Sequence, residues 1–330
     1  MINSLIYYLY RNQLIVAIIF VFLGWLVLQV RDVLVGLFIS YIIMAALFPW
    51  VSFLRRKGIP NALSVSITYF FTLAFLVLLI LPLVPFFVSQ ILSLYNSFPR
   101  YVDESARVLG FSITSGQIRE FLASDINNIG KSAFTVTTKV FSGVLSVLTV
   151  LVVSFYLLLG HDQIKSKVIG LFARDSQKKA LFTIARMEEK LGAWLRGQII
   201  LSLSIAFVTW ITLTVLGIDF ALPLALLAGI LEIAPTIGPI LAGIPAVIVA
   251  LAISPSTALV VALAYTLIQF LENHILVPRI MQKAVGLHPV IIILGVIIGS
   301  HLLGVAGALL AVPFMSFLFV GFQNLKQIKE

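Results

Sequence analysis

Two apolar runs in this chain have a length that suits neither a soluble helix nor a simple membrane crossing. Phe220–Ile253 and Pro289–Phe322 are 34 residues each. As one straight helix, either would be about 51 Å long. The hydrocarbon core of a bilayer is only ~30 Å thick. Two complete crossings need ~40 residues plus a turn. A helical hairpin that enters and leaves on one side fits the length better. Helix breakers stand near both midpoints: "APTIGP", Ala234–Pro239, in the first and "GSHLLG", Gly299–Gly304, in the second. A single kinked crossing for each run is the alternative.

The other apolar runs of spanning length are Leu14–Val30, Val33–Leu54, Ala62–Leu94, Val140–Leu159, Ile199–Leu216 and Thr257–Val277. Pro82 and Pro85 are expected to kink the third. Leu14–Val30 exceeds a usual signal core and is read as a transmembrane helix. The fold class expected is therefore an all-α polytopic membrane protein. It has about six full transmembrane helices and two re-entrant helical hairpins, eight hydrophobic segments in all. Composition agrees, since 61% of residues are hydrophobic and only 11% charged, where soluble domains carry about 25% charged residues. The formal charge of +9 fits basic cytoplasmic loops better than a nucleic-acid partner. The absence of cysteine excludes disulfides, thiolate metal sites and cysteine nucleophiles.

Two polar segments divide the runs. Residues 95–139 carry five basic and four acidic residues; residues 160–198 carry eight basic and four acidic. Both are expected to be amphipathic helices outside the bilayer. In the second, Leu181, Ile184, Leu191, Trp194 and Leu195 share a helical face. It is either a packed connector or a docking surface. The layout is then residues 1–94, transmembrane helices one to three; 95–139, extracytoplasmic; 140–159, the fourth helix; 160–198, cytoplasmic; and 199–330, a transport unit with hairpins 220–253 and 289–322. "RRK" at Arg55–Lys57 and the basic 160–198 segment set both termini in the cytoplasm. With that orientation, the two hairpins approach from opposite faces, as inverted repeats do in secondary transporters.

Ionisable groups at membrane depth are costly and default to function. Glu232, beside the first break, is the leading candidate for a cation, proton or substrate contact; a carboxylate bonded to freed backbone amides is the structural alternative. Gln269, Glu272 and Asn273 form a second constellation, with Gln269 and Asn273 on one face. Glu272 either lines a polar path or snorkels to the interface. His301, at the second hairpin tip, is either a proton carrier or a structural donor. His161 and His288 sit at helix ends and read as structural. Ala225 with Gly229, and Gly295 with Gly299, are small-xxx-small pairs suited to close helix contact. No HExxH, phosphate-loop or G-x-S-x-G pattern is present, so no enzymatic activity is expected. A proton or sodium gradient is the simplest energy source; no cofactor is expected beyond such a coupling cation.

Four stretches, in order, are similar to the autoinducer-2 exporter family of bacterial membrane proteins: "LRGQ" at Leu195–Gln198, "APTIGPILAGIPAV" at Ala234–Val247, "QFLENHILVPRIMQKAVGLHPV" at Gln269–Val290 and "GVAGALLAVP" at Gly304–Pro313. The resemblance implies a multi-pass transporter of the bacterial inner membrane. Its members are linked to export of a furanone-type quorum signal or to sodium(lithium)/proton antiport. It also implies a homo-oligomer, a pentamer. Carried over, the hairpin motif is Pro235, Gly238 and Pro239, with Thr236 where the family often has tyrosine. The remaining signature is Arg196, Gly197, Pro278, Gly286, His288, Pro289, Gly307 and Pro313, together with the tip glycines Gly299 and Gly304. The expected activity is gradient-coupled export of a small polar organic molecule. Sodium(lithium)/proton antiport and a non-transporting scaffold acting through its cytoplasmic helices are the alternatives. The expected partners are the lipid bilayer, a small solute or cation, and further copies of the chain.

Overall fold

The computed structural model describes residues 13–108, 110, 133–233, 237–281 and 288–329. Among them there are helices and no strands. In chain order they are α1 (Gln13–Gln29), α2 (Arg31–Arg56), α3 (Asn61–Val108), α4 (Ala133–Leu159), α5 (His161–Gly170), α6 (Gln177–Val215), α7 (Ala221–Leu231), α8 (Ile237–Ile253), α9 (Pro255–Leu271), α10 (Val277–Met281) and α11 (Pro289–Lys329). Five helical stretches are long and apolar enough to cross a membrane, or six if α4 and the bent α5 count as one span. The protein is thus an all-helical, multi-pass membrane protein. Its many exposed Leu, Ile, Val and Phe side chains face a solvent that is itself apolar.

Element boundaries differ from the sequence expectation where charge was taken as a stop. The third run does not end at Leu94, because α3 continues as one helix through Pro82 and Pro85 to Val108. Arg100–Glu104 and Asp103–Arg107 pairs at i, i+4 support its polar end. The run expected from Val140 already begins at Ala133. The amphipathic segment and the run Ile199–Leu216 are one helix, α6, of 39 residues. Polar and apolar stretches share a helix because hydrogen bonding along the backbone is indifferent to what surrounds it. The expectation for residues 111–132 lies outside the described residues.

α6 is the spine, about 58 Å long at ~1.5 Å per residue. Leu191, Trp194, Leu201 and Ile205 of α6 are buried against Ile42 and Ala45 of α2, Ala228 of α7 and Val312 of α11. Beyond its far end Gly217 and Phe220 both take left-handed backbone, with φ of 66° and 57°. That is unusual for a bulky residue, and the Phe220 ring is held edge-on by Tyr101 at 6.2 Å. The turn sends α7 back along α6, and α8 then returns to the same end. There Tyr101 donates to Asp219 at 3.0 Å and Ser105 to the Ile248 carbonyl at 3.1 Å.

α11 also doubles back. Gly304, with φ 61° and ψ −141°, breaks it, in a region that side chains disfavour. Gly299 and Gly307, on the two arms, sit backbone to backbone, so that a Cβ on either would run into the other's carbonyl. The tip lies near Arg31, which donates to the Leu302 carbonyl at 3.4 Å. The other end reaches Met187, against Gly321. The α7–α8 and α11 hairpins therefore open toward opposite ends of the molecule.

At the Met187 end a polar network ties three elements. Glu188 of α6 accepts from His161 at 3.0 Å, Lys165 at 2.7 Å and Tyr41 at 3.3 Å. Arg55 pairs with Asp162 at 2.8 Å, and this hydrogen bond holds the Asp162 carboxyl below its ordinary range. His161, read from sequence as structural, lies buried in this network.

Candidate functional site

The break between α7 and α8 begins at Glu232, whose backbone N–H still closes the last turn of α7 onto Ala228. Gly238, just past the break, packs on the Leu231 carbonyl so closely that a side chain there would collide with it. This closes the turn tightly on the end of α7. Gln198, near the middle of α6, donates to the Glu232 carbonyl at 3.0 Å, replacing a hydrogen bond that the broken helix lacks. Pro235 and Thr236, assigned to the hairpin motif, lie outside the described residues, as does Gly286. Pro239 is half-buried at the start of α8.

Glu272 meets this break from α9. Pro278 has no N–H to continue the helical ladder. Upstream of it the chain makes one wide turn, Glu272–Leu276, closed by the Val277 N–H on the Glu272 carbonyl. Such π-type turns widen the helix and re-aim its side chains. Here Glu272 points inward, 2% exposed, while Asn273 and His274 point out. The structure decides between the two readings of Glu272. Glu272 does not snorkel to the interface. Asn273 shares with Gln269 a groove between α8 and α9 of about 640 Å³. Gln269 does reach Glu272, donating from Nε2 to Oε2 at 3.1 Å.

Glu232 and Glu272 are both buried and close enough for their charges to interact. Glu232 is 0% exposed, and neither of its carboxyl oxygens has a hydrogen-bond partner. The Gln269 carbonyl oxygen is also buried without one. All three orphaned atoms are acceptors. Buried acceptors left unpaired cost ~1–3 kcal/mol each, more when charged. What would satisfy them is positive: a proton shared by the two carboxyls, or a small cation between them. No group of three or more His, Cys, Asp or Glu suited to a multivalent metal occurs among the described residues. The pair was not visible as a pair in sequence, since 40 positions separate the two carboxylates.

The signature residues mostly hold the frame. Pro49 inside α2 deprives the Ala45 carbonyl of its helical donor. Arg196 reaches over from α6 and donates to the Ala46 carbonyl at 2.8 Å and toward that of Ala45 at 3.4 Å. Arg196→Ala should lower stability by about 1–3 kcal/mol, read as thermal unfolding in detergent. In a Pro49→Ala background, where the backbone donor returns, the loss should shrink; an unchanged loss would remove this role. Gly197 packs on Met281 and Ile280 of α10. His288 caps α11, its Nδ1 accepting from the Val290 N–H at 3.4 Å. Pro289 opens that helix and Pro313 is buried in its second arm. His301 is exposed on the first arm of α11, close to its break at Gly304.

Comparison with known proteins agrees with this architecture. The sequence profile described as AI-2E family transporter matches residues 14–327. The chain is 26% identical over 312 residues to YrrI of Bacillus subtilis (strain 168), covering 90% of this chain and 87% of the relative. It is 29% identical over 330 residues to MT0215 of Mycobacterium tuberculosis, covering 96% and 88%. Both relatives are provisionally named transport proteins. A third, the AI-2 transport protein TqsA of Escherichia coli, is 26% identical over 293 residues, covering 86% and 83%. With the family profile matched over nearly its whole length, the chain belongs to the AI-2E family of transporters.

Proposed function

We propose that the protein is a secondary transporter that exports a small polar organic molecule, coupled to a proton or sodium ion taken up between Glu232 and Glu272. The observation that carries this reading is the buried carboxyl pair with its orphaned acceptors. Such a pair exchanges its positive occupant only when a path opens. The site lies where the α7–α8 hairpin turns against the middle of α6, and broken helices of this kind occur where protein or a cavity surrounds them. The opposed directions of the two hairpins support a re-entrant arrangement, one from each side of a bacterial inner membrane. In that arrangement Arg55–Lys57 and α5 face the cytoplasm. The assembly proposed is a homo-oligomer, five-fold by resemblance to the family.

Sodium(lithium)/proton antiport is the second reading, favoured by the same pair, because carboxyl oxygens alone can exchange H⁺ for a monovalent cation. Proteoliposomes under imposed pH or sodium gradients separate the two. Solute efflux driven by either gradient supports the first reading, and sodium-dependent proton movement without solute supports the second. No flux under any gradient overturns both.

A further inference from the structure

We propose that α5 and the turn after it dock on the anionic lipid surface beside the membrane-spanning α4. The geometry begins at Gly160, where α5 leaves the axis of α4 at 70°. If α4 runs close to the membrane normal, α5 lies nearly in the plane of the interface. Ile164, Val168 and Leu171 follow one another at i, i+4 and i+7, so they form one stripe. They are 44%, 39% and 85% exposed. Phe172 continues the ridge at 38% exposed. An apolar stripe of this kind is costly in water but suits the headgroup–acyl boundary.

Charge indicates which surface covers it. Between Lys165 and Lys179 there are five basic residues and one acidic residue, Asp175. Lys165 is committed to Glu188, while Lys167, Arg174 and Lys178 are exposed around the ridge. A basic rim around an exposed apolar stripe, joined directly to a spanning helix, matches an anionic bilayer surface. Each Lys or Arg brought to such a surface strengthens association about fivefold. The docking would not be isolated from the rest of the molecule. His161 and Lys165, on the flank of the stripe, bind Glu188, and ten residues further along α6 Gln198 holds the Glu232 carbonyl.

The chain contains no cysteine, so one fluorophore can be placed cleanly. Leu171→Cys, labelled with an environment-sensitive dye, is studied as full-length protein in nanodiscs with and without phosphatidylglycerol. Docking predicts blue-shifted emission with phosphatidylglycerol, quenched by lipids carrying a shallow spin label. In Lys167→Glu/Arg174→Glu the ratio of docked to undocked protein should fall by about fivefold or more per position. Added salt should produce the same return toward water-like emission in the unreversed protein, which keeps the test valid if the double variant misfolds. Water-like emission in both lipids overturns the proposal. So does a blue shift that lipid-borne quenchers do not touch, because the ridge would then be covered by protein.

Discussion

Glu232→Gln should leave a folded protein that no longer couples transport to a gradient. The substitution keeps the volume of the side chain and removes its ability to exchange a proton or balance a cation. At wild type, neither Glu232 oxygen has a partner in the closed site. An amide offers its own donor to Glu272, so the pair is satisfied without any occupant. Coupling free energies are typically ~1–3 kcal/mol, or about 5–150-fold in the affinity of one site that the other changes. A loss of that size is expected in proteoliposomes, with thermal stability equal to or above wild type because a buried charge has gone. Glu272→Gln should show a similar loss, and the double variant little more than either single one, since the two act as one site. Full gradient-driven flux in Glu232→Gln would falsify the assignment of this residue to coupling.

The second large effect is expected at Gly307. A methyl there meets the Gly299 carbonyl oxygen, a backbone atom that cannot rotate aside. Gly307→Ala must therefore part the two arms of α11. Overpacking of this kind costs about 1–3 kcal/mol and sometimes more. The displaced arm carries Phe314 and Phe317, which pack edge-on against Phe38 of α2 at 5.6 and 6.1 Å. The expected result is a lower unfolding temperature in detergent and reduced flux even at full expression. Gly143→Ala is the control, because nothing lies within 4 Å of a Cβ there. Equal stability of the two variants would show that the arms are free to separate.

That α11 breaks near its middle was legible in the sequence, from a 34-residue apolar run with Gly299–Gly304 at its centre. The break at Glu232 was legible for the same reason, and so was the cost of a carboxylate placed beside it. The π turn was not. Periodicity assumes a constant 100° per residue, and it does not say that Glu272 turns inward while Asn273 beside it faces a groove. Pro278 was the one local sign that the ladder fails there, but a proline does not say which side chain turns inward. The continuity of α6 was missed because its first half reads as polar and its second half as apolar.

By itself the sequence determined what the solvent would permit: apolar runs long enough for a bilayer, and glycines and prolines where helices must break. Those are local properties, fixed by side-chain hydrophobicity and by backbone geometry over a few residues. Only the tertiary structure decided which polar groups share a space. Gln198 holds in place the turn that carries Glu232, while a widened turn points Glu272 inward. Arg196, similarly, acquires its task only when α6 crosses the carbonyl that Pro49 leaves open. Contacts between distant positions depend on the packing of whole helices, and no stretch of sequence encodes that packing alone.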